Sequence, residues 1–255
     1  MATRSRQNGT PVVAAAVRAA AADAELPLSG AESSSINPMP KKATPKSAAK
    51  SKRPAALAGL ANICVFCGSG NGRNPVYAAA ANALGAAMAN AGIGLVYGGG
   101  SLGLMGETAR SVLKGGGHVT GIIPAFLSEK ERMLRDVNEL IVTKDMHERK
   151  RLMFERSDAF VALPGGIGTL EELVEQLTWS QLGRHSKPIV LVNVDHFWDP
   201  LIGLLDHMRQ EAFIRPGLEV GFIVVDSVEA VVPAVIAAVR SATPKVPDPA
   251  LPDKF

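Results

Sequence analysis

Three glycines, a threonine and two adjacent acids stand together in "LPGGIGTLEELVEQLTW", residues 163–179. Gly165, Gly166 and Gly168 strip side chains from a turn that feeds a helix-like run, and the backbone N–H groups of such a turn hold an anion, above all a phosphate. Thr169 followed three residues later by Glu172 also reads as a capping box, with each side chain satisfying a backbone donor at the helix start. Leu170, Leu173, Val174 and Leu177 are expected to form that helix's buried stripe, leaving Glu171 and Glu172 off the core. Capping accounts for Glu172. It does not account for the glycines, whose bareness points to a ligand approaching the backbone closely.

A second stretch, "DMHERKRLMFERSD", brings cations. A helix from about Asp145 puts Met146, Arg149, Lys150 and Met153 on one stripe by the i, i+3, i+4, i+7 rule. Either one cation reaches water along its aliphatic stem, or the pair faces an anionic ligand, for which arginine's planar fork is suited. A third stretch, "YGGGSLGLMG", follows a strand and opens a helix, with Gly98, Gly100 and Gly103 matching GxGxxG. A dinucleotide site also needs an acid at the end of the following strand, and "HVTGIIP" ends without one. What is left is the general property that amides at a helix start cradle one phosphate.

These stretches need a scaffold that brings loops to one edge. From Ala61 onward, short β-branched runs alternate with helical patterns, as in a parallel sheet covered on both faces. The strands are "NICVFCG", "GLVYGG", "HVTGIIP", "ELIVTKD", "AFVALPG", "KPIVLVNV" and "FIVVDS". Helices are expected near 75–91, 103–115, 145–156, 169–182, 199–211 and 227–240. The fold class is therefore α/β, a doubly wound, mostly parallel, Rossmann-like sheet of about seven strands. Its ligands lie beyond the carboxyl ends of the strands.

The charge is unevenly spread. Residues 1–60 hold nine Lys/Arg and three acids, leaving 18 basic and 21 acidic residues for the rest of a chain of 255. The folded part is mildly acidic, which speaks against nucleic-acid binding there. Residues 1–58, rich in Ala, Ser, Pro and Lys, bury too little apolar surface to offset ordering entropy and are expected to be a disordered tail. Its basic run is a solvated linker or a weak polyanion-binding arm. Residues 59–241 make one domain and 242–255 a Pro-rich carboxyl-terminal tail. Arg18 interrupts the only candidate leader segment, and no run of 18 apolar residues occurs, so neither secretion nor a membrane span is expected.

Cys64 and Cys67 lie three apart on one strand and so point to opposite faces. No second Cys/His pair completes a zinc set, so neither metal nor disulfide chemistry is expected, and a reducing, cytoplasmic location fits.

Taken together, these residues resemble the Lonely Guy (LOG) family of cytokinin riboside 5′-monophosphate phosphoribohydrolases, often labelled lysine decarboxylases. The family's PGGxGTxxE is matched by Pro164, Gly165, Gly166, Gly168, Thr169 and Glu172, and its HxRK preceded by Met by Met146, His147, Arg149 and Lys150. "CVFCGS", "VYGGGSLGLMG" and "TWSQLG" are similar to further family segments, and the resemblance runs over roughly 61–240. It implies hydrolysis of the N-glycosidic bond of an N6-prenylated adenosine 5′-monophosphate to free base and ribose 5-phosphate, with AMP as a second substrate. It places Arg149 and Glu172 on catalytic positions. Lys150, Gly165, Gly166, Ile167, Gly168, Thr169, Leu170, Glu171 and Thr178 fall on substrate-binding positions, joined by Glu131 and by Gly99, Gly100 and Ser101 of the second glycine loop. It implies no cofactor, no metal and a homodimer. A pyridoxal-phosphate decarboxylase would need a Schiff-base lysine and an acid for the pyridinium, and neither is marked. A non-catalytic nucleotide sensor could dispense with Arg149 or Glu172; both are present.

Overall fold

The computed structural model describes residues 59–128 and 132–241. The expectations for the basic amino-terminal tail, the carboxyl-terminal tail and Glu131 lie outside those residues. Seven parallel strands form one sheet in the order β4-β3-β2-β1-β5-β6-β7. They are β1 (Asn62–Phe66), β2 (Gly94–Tyr97), β3 (Val119–Pro124), β4 (Glu139–Thr143), β5 (Ala159–Ala162), β6 (Ile189–Val192) and β7 (Ile223–Val225). Between and after them run α1 (Val76–Asn90), α2 (Gly103–Lys114), α3 (Met146–Glu155), α4 (Ile167–Gln181), α5 (Asp199–Gln210) and α6 (Val231–Ser241).

Strand alternation divides the core. Ile63 and Val65 of β1 pack with α1, α2 and α6 on one face, whereas Cys64 and Phe66 pack with Met153 of α3, Leu173 and Leu177 of α4, and α5 on the other. The two cysteines obey the same rule, Cys67 lying with the first cluster and Cys64 with the second, both as free thiols. The order of strands reverses between β1 and β5. This switch point opens a crevice at the strands' carboxyl ends, where ligands of such sheets bind. There the Gly68 amide donates to the Pro164 carbonyl at 3.1 Å, tying the loop after β1 to the loop after β5.

Two helix starts differ from expectation. α6 begins at Val231 rather than near 227, which puts Pro233 in its first turn, where a missing N–H costs nothing. α4 begins at Ile167, with Gly166 in extended conformation as its cap residue and no side chain capping it. Thr169 and Glu172 therefore lie inside the helix, and the capping box expected there does not form. A comparable device closes α3 instead. The Asp145 carboxylate accepts from the Glu148 amide at 2.8 Å, and Glu148 accepts from the Lys144 amide at 3.0 Å. That backbone hydrogen bond holds the Asp145 carboxyl below the usual range.

Candidate active site

Arg149 and Glu172 meet from two helices over the carboxyl edge of the sheet. Arg149 leaves the first turn of α3, and its Nη1 lies 3.3 Å from Glu172 Oε1 in the second turn of α4. Both are buried, at 6% and 9% exposure. The expected apolar stripe of α4 is therefore turned: Thr169, Glu172 and Gln176 go inward with Leu173 and Leu177, Leu170 is half-buried, and Val174 is exposed. An ion pair can sit there because the guanidinium has further partners. Arg149 Nε donates to the Ile122 carbonyl of β3 at 3.2 Å, and Nη1 also lies 3.8 Å from Met146 Sδ. Breaking a pair buried to this degree typically costs about 3–5 kcal/mol, because the surviving charge is left uncompensated.

Gly98, the first glycine of the second loop, owes its identity to this arginine. A Cβ there would collide with Arg149 Nη2 and come within 3.1 Å of Met105 Sδ. Gly103 has a positive φ of 57°, and a side chain on it would strike the backbone of Ser69 and Gly70. The GxGxxG match thus serves an arginine and a loop–loop contact. Gly99, Gly100 and Ser101 bind back to the segment after Glu131: the Ser101 amide donates to the Arg132 carbonyl at 3.0 Å and the Leu134 amide to the Gly99 carbonyl at 3.1 Å.

A second rung between α3 and α4 lies beside the first. Lys150 Nζ is 2.6 Å from Glu171 Oε1 and 2.9 Å from Glu175 Oε1. Burial alone would lower the Lys150 pKa, but the two carboxylates outweigh it and the pKa is raised. Both expected cations of α3 therefore face α4, and neither turns to solvent. Below the site, burial first and the Glu172 charge second push the Cys64 and Cys67 thiols well up, so both stay protonated.

The glycine turn lies at the switch point. Gly166 and Gly168 are open to solvent, Ile167 is exposed, and the Thr169 side chain fills the space that a side chain on Gly165 would need. No side chain caps α4, and the turn that leads into it lines a cleft of about 310 Å³. Its walls are the Gly68–Gly72 loop, Leu104, Pro164–Gly166, and Tyr77 with Phe197, whose rings meet edge-on at 5.8 Å. The loop after β1 is among the places sequence reasoning points to. Phe197 is not, because it is carried by a turn in which Asp195 and His196 both adopt positive φ. Glu175 and Gln176 were also missed, since nothing in their spacing sets them apart from a helix surface. Thr178 lies on the exposed face of α4, its hydroxyl donating to the Val174 carbonyl at 2.8 Å. Eleven residues of helix separate it from Ile167, about 16 Å. One chain does not bring it to the glycine turn.

A doubly wound α/β protein with a phosphate-type helix start at its switch point and a buried Arg–Glu pair beside it is a nucleotide-site protein by architecture. The family model described as "Possible lysine decarboxylase" matches residues 105–235. The chain is 54% identical over 153 residues to a rice (Oryza sativa subsp. japonica) protein named probable cytokinin riboside 5′-monophosphate phosphoribohydrolase LOGL1, spanning 60% of this chain and 69% of the relative. It is 51% identical over 154 residues to the Arabidopsis thaliana cytokinin riboside 5′-monophosphate phosphoribohydrolase LOG3, spanning 60% of this chain and 72% of that one. The chain belongs to this LOG family. Among solved structures, the molybdenum cofactor binding protein from the phototrophic bacterium Rippkaea orientalis superposes with a TM-score of 0.51 at 26% identity, over 70% of this chain and 96% of that one. The Moco carrier protein from Chlamydomonas reinhardtii, at 23% identity and a TM-score of 0.54 over 72% and 99% of the two chains, shares the fold.

Proposed function

We propose that residues 59–241 form one catalytic domain that hydrolyses the N-glycosidic bond of a cytokinin riboside 5′-monophosphate, releasing an N6-prenylated adenine and ribose 5-phosphate. The observation that carries this reading is the buried Arg149–Glu172 pair at 3.3 Å beside an uncapped, glycine-built helix start. The motif resemblance puts Arg149 and Glu172 on the family's catalytic positions, and relatives are named for action on such nucleotides.

The residues divide the work by charge. The amides of Gly165, Gly166, Ile167, Gly168 and Thr169 hold the 5′-phosphate at the positive end of α4, which the Leu170 amide closes by donating to the Gly166 carbonyl at 3.0 Å. Glu171 and Lys150, joined at 2.6 Å, border the ribose. As the C1′–N9 bond breaks, its electrons leave with the purine and positive charge builds on the sugar. Glu172 stabilises that charge and takes a proton from the water that adds to C1′; the departing purine takes up one proton from solvent and Glu172 returns one to solvent on turnover, so that water's two hydrogens end on the sugar hydroxyl and the base. Arg149, with Nη1 3.3 Å from Glu172 Oε1, serves to compensate the carboxylate and aim it. Glu131 and the Gly99–Gly100–Ser101 loop complete the substrate contacts. No cofactor or metal enters this scheme. Lys150 speaks against a Schiff-base mechanism, since such a lysine needs a lowered pKa and this one is raised.

The working unit is a homodimer. Ile167, Glu171, Val174, Thr178 and Leu182 form an exposed ridge along α4, extended by Leu218, whose carbonyl is held by Gln181 Nε2 at 2.7 Å. A two-fold axis near Val174 sets Thr178 of one copy beside Glu171 of the second, which gives Thr178 access to substrate. The two unpaired cysteines suit the cytoplasm.

The test is release of free base, followed by chromatography, from isopentenyladenosine monophosphate and from AMP. If neither is cleaved faster than by a Glu172→Gln variant, the hydrolase reading is wrong; if AMP is the better substrate, the prenyl preference is. A monomeric mass in solution light scattering rejects the dimer.

A further inference from the structure

Behind Glu172 lies a small cavity of about 10 Å³, bordered by Lys150, Glu172, Glu175, Gln176 and the rings of Phe66, Phe154 and Phe160. Two buried acceptors on its wall have no hydrogen-bond partner among the described residues: Glu175 Oε2 and Gln176 Oε1. Gln176 is 3% exposed, so bulk water does not serve it. Glu175 is already engaged through its other oxygen, 2.9 Å from Lys150 Nζ. An aromatic box with two acceptors and an ammonium on its wall is an unlike mixture, and the cavity is of the size one water occupies.

The geometry points to a single ordered water in this cavity, and to Glu175 and Gln176 as positioning residues that hold Glu172 against Arg149 through it. Water has the required complement. Its two hydrogens go to Glu175 Oε2 and Gln176 Oε1, and its lone pairs face Lys150, whose third N–H is left after Glu171 and Glu175 take two. The consequence is mechanical. Lys150 follows Arg149 on α3, and Glu171 and Glu175 flank Glu172 on α4, so fixing the Lys150 rung from both sides fixes the spacing of the Arg149–Glu172 rung beside it. A water-filled support stiffens that spacing without placing another side chain in the substrate's path.

The catalytic half of this inference rests on the hydrolase reading; the water site does not. A crystal structure of the full chain at about 1.5 Å tests the site first. The expected result is one solvent peak within hydrogen-bond reach of both Glu175 and Gln176. A Gln176 amide turned to donate directly to Glu175, with no peak between them, overturns it. Gln176→Leu then removes the acceptor at similar volume, with Gln176→Met as a second variant should the first fail to fold. The peak is expected to vanish and kcat for base release to fall about tenfold, with KM within about twofold, as for a loosened catalytic geometry. Loss of the peak with kcat unchanged, or a fall in thermal stability alone, overturns the positioning role. Should the wild-type protein release no base from any nucleotide, the hydrolase reading fails while the solvent peak still decides the water site.

Discussion

Replacing Gly98 with alanine should disable the protein through an arginine fifty residues away. The backbone at Gly98 does not have a positive φ, so alanine is conformationally allowed, and on chain entropy alone it would stabilise by about 0.4–1 kcal/mol. The new methyl, however, lands on Arg149 Nη2 and presses on Met105 Sδ at 3.1 Å. To regain ordinary contact the guanidinium must retreat by on the order of 1 Å. That is enough to carry Nη1 from 3.3 Å to beyond bonding range of Glu172 Oε1, or to strain its bond to the Ile122 carbonyl. A displacement of this size at a reacting centre costs roughly a hundredfold in rate, about 2.7 kcal/mol of barrier. Overpacking costs about 1–3 kcal/mol of stability in addition. The assay is steady-state release of base by Gly98→Ala, alongside a urea unfolding curve to show that the variant is folded. Wild-type kcat/KM in a folded variant would refute the reasoning, since the position of Arg149 would then not matter to the chemistry.

Three further outcomes follow from other residues. Glu172→Gln should lose about 10²- to 10⁴-fold in kcat, whereas Glu171→Gln, whose side chain is half exposed and removes only one of the two carboxylates on Lys150, should change kcat by less than about fivefold; equal losses in parallel kinetics would contradict the assignment of roles. Ala212 ends α5 at φ 62°, with the Phe213 amide donating to the Met208 carbonyl at 2.9 Å and the Ala212 amide to Arg209 at 3.1 Å, an arrangement that favours glycine. Ala212→Gly should therefore gain about 0.5–1 kcal/mol and raise Tm by about 2 °C in a scanning calorimeter, after the larger entropy of unfolded glycine is subtracted; no rise would show that the turn is unstrained. Burial raises the Cys64 and Cys67 pKa values, so the folded chain keeps protons that the unfolded chain gives up. Their contribution is complete below about pH 8.5 and is lost as pH rises above it, so the urea midpoint should fall between pH 8 and 10, and fall less in a Cys64→Ala, Cys67→Ala variant.

The strands and helices were legible because most are short β-branched runs or periodic stripes set off by glycine or polar residues, and the parallel order follows from their alternation. Misplaced features came from rules applied without their neighbours. Pro233 marks the first turn of α6 and could have set its start. The Asp145-x-x-Glu148 cap of α3 carries the same spacing as the box wrongly expected at Thr169. Val174 was placed inside and Glu172 outside because hydrophobicity alone assigns a leucine-rich helix its stripe; the partner that draws Glu172 inward, Arg149, sits 23 positions earlier and is invisible to periodicity. The same holds for Gly98, read as a phosphate fingerprint when its constraint is an arginine from another helix. Glu175 and Gln176 carry no motif at all. Their interest lies in unpaired atoms that only a packed α3–α4 interface reveals.

The string Thr169-x-x-Glu172 serves two incompatible ends, and the position of the helix start decides between them. Were Thr169 the cap residue, its hydroxyl and the Glu172 carboxylate would be spent on two of the four orphan backbone donors, and fewer amides would be left for a phosphate. Because Gly166 is the cap, the box residues recede three positions into the helix. The first amides then stay free of a side-chain cap, and Glu172 reaches Arg149. Glycine at Gly166 is tolerable as a cap but contributes no side-chain bond, so the helix forgoes only a few tenths of a kcal/mol, roughly, of the capping that serine or aspartate would supply. That choice leaves uncapped amides and a buried acid on one helix, about two turns apart.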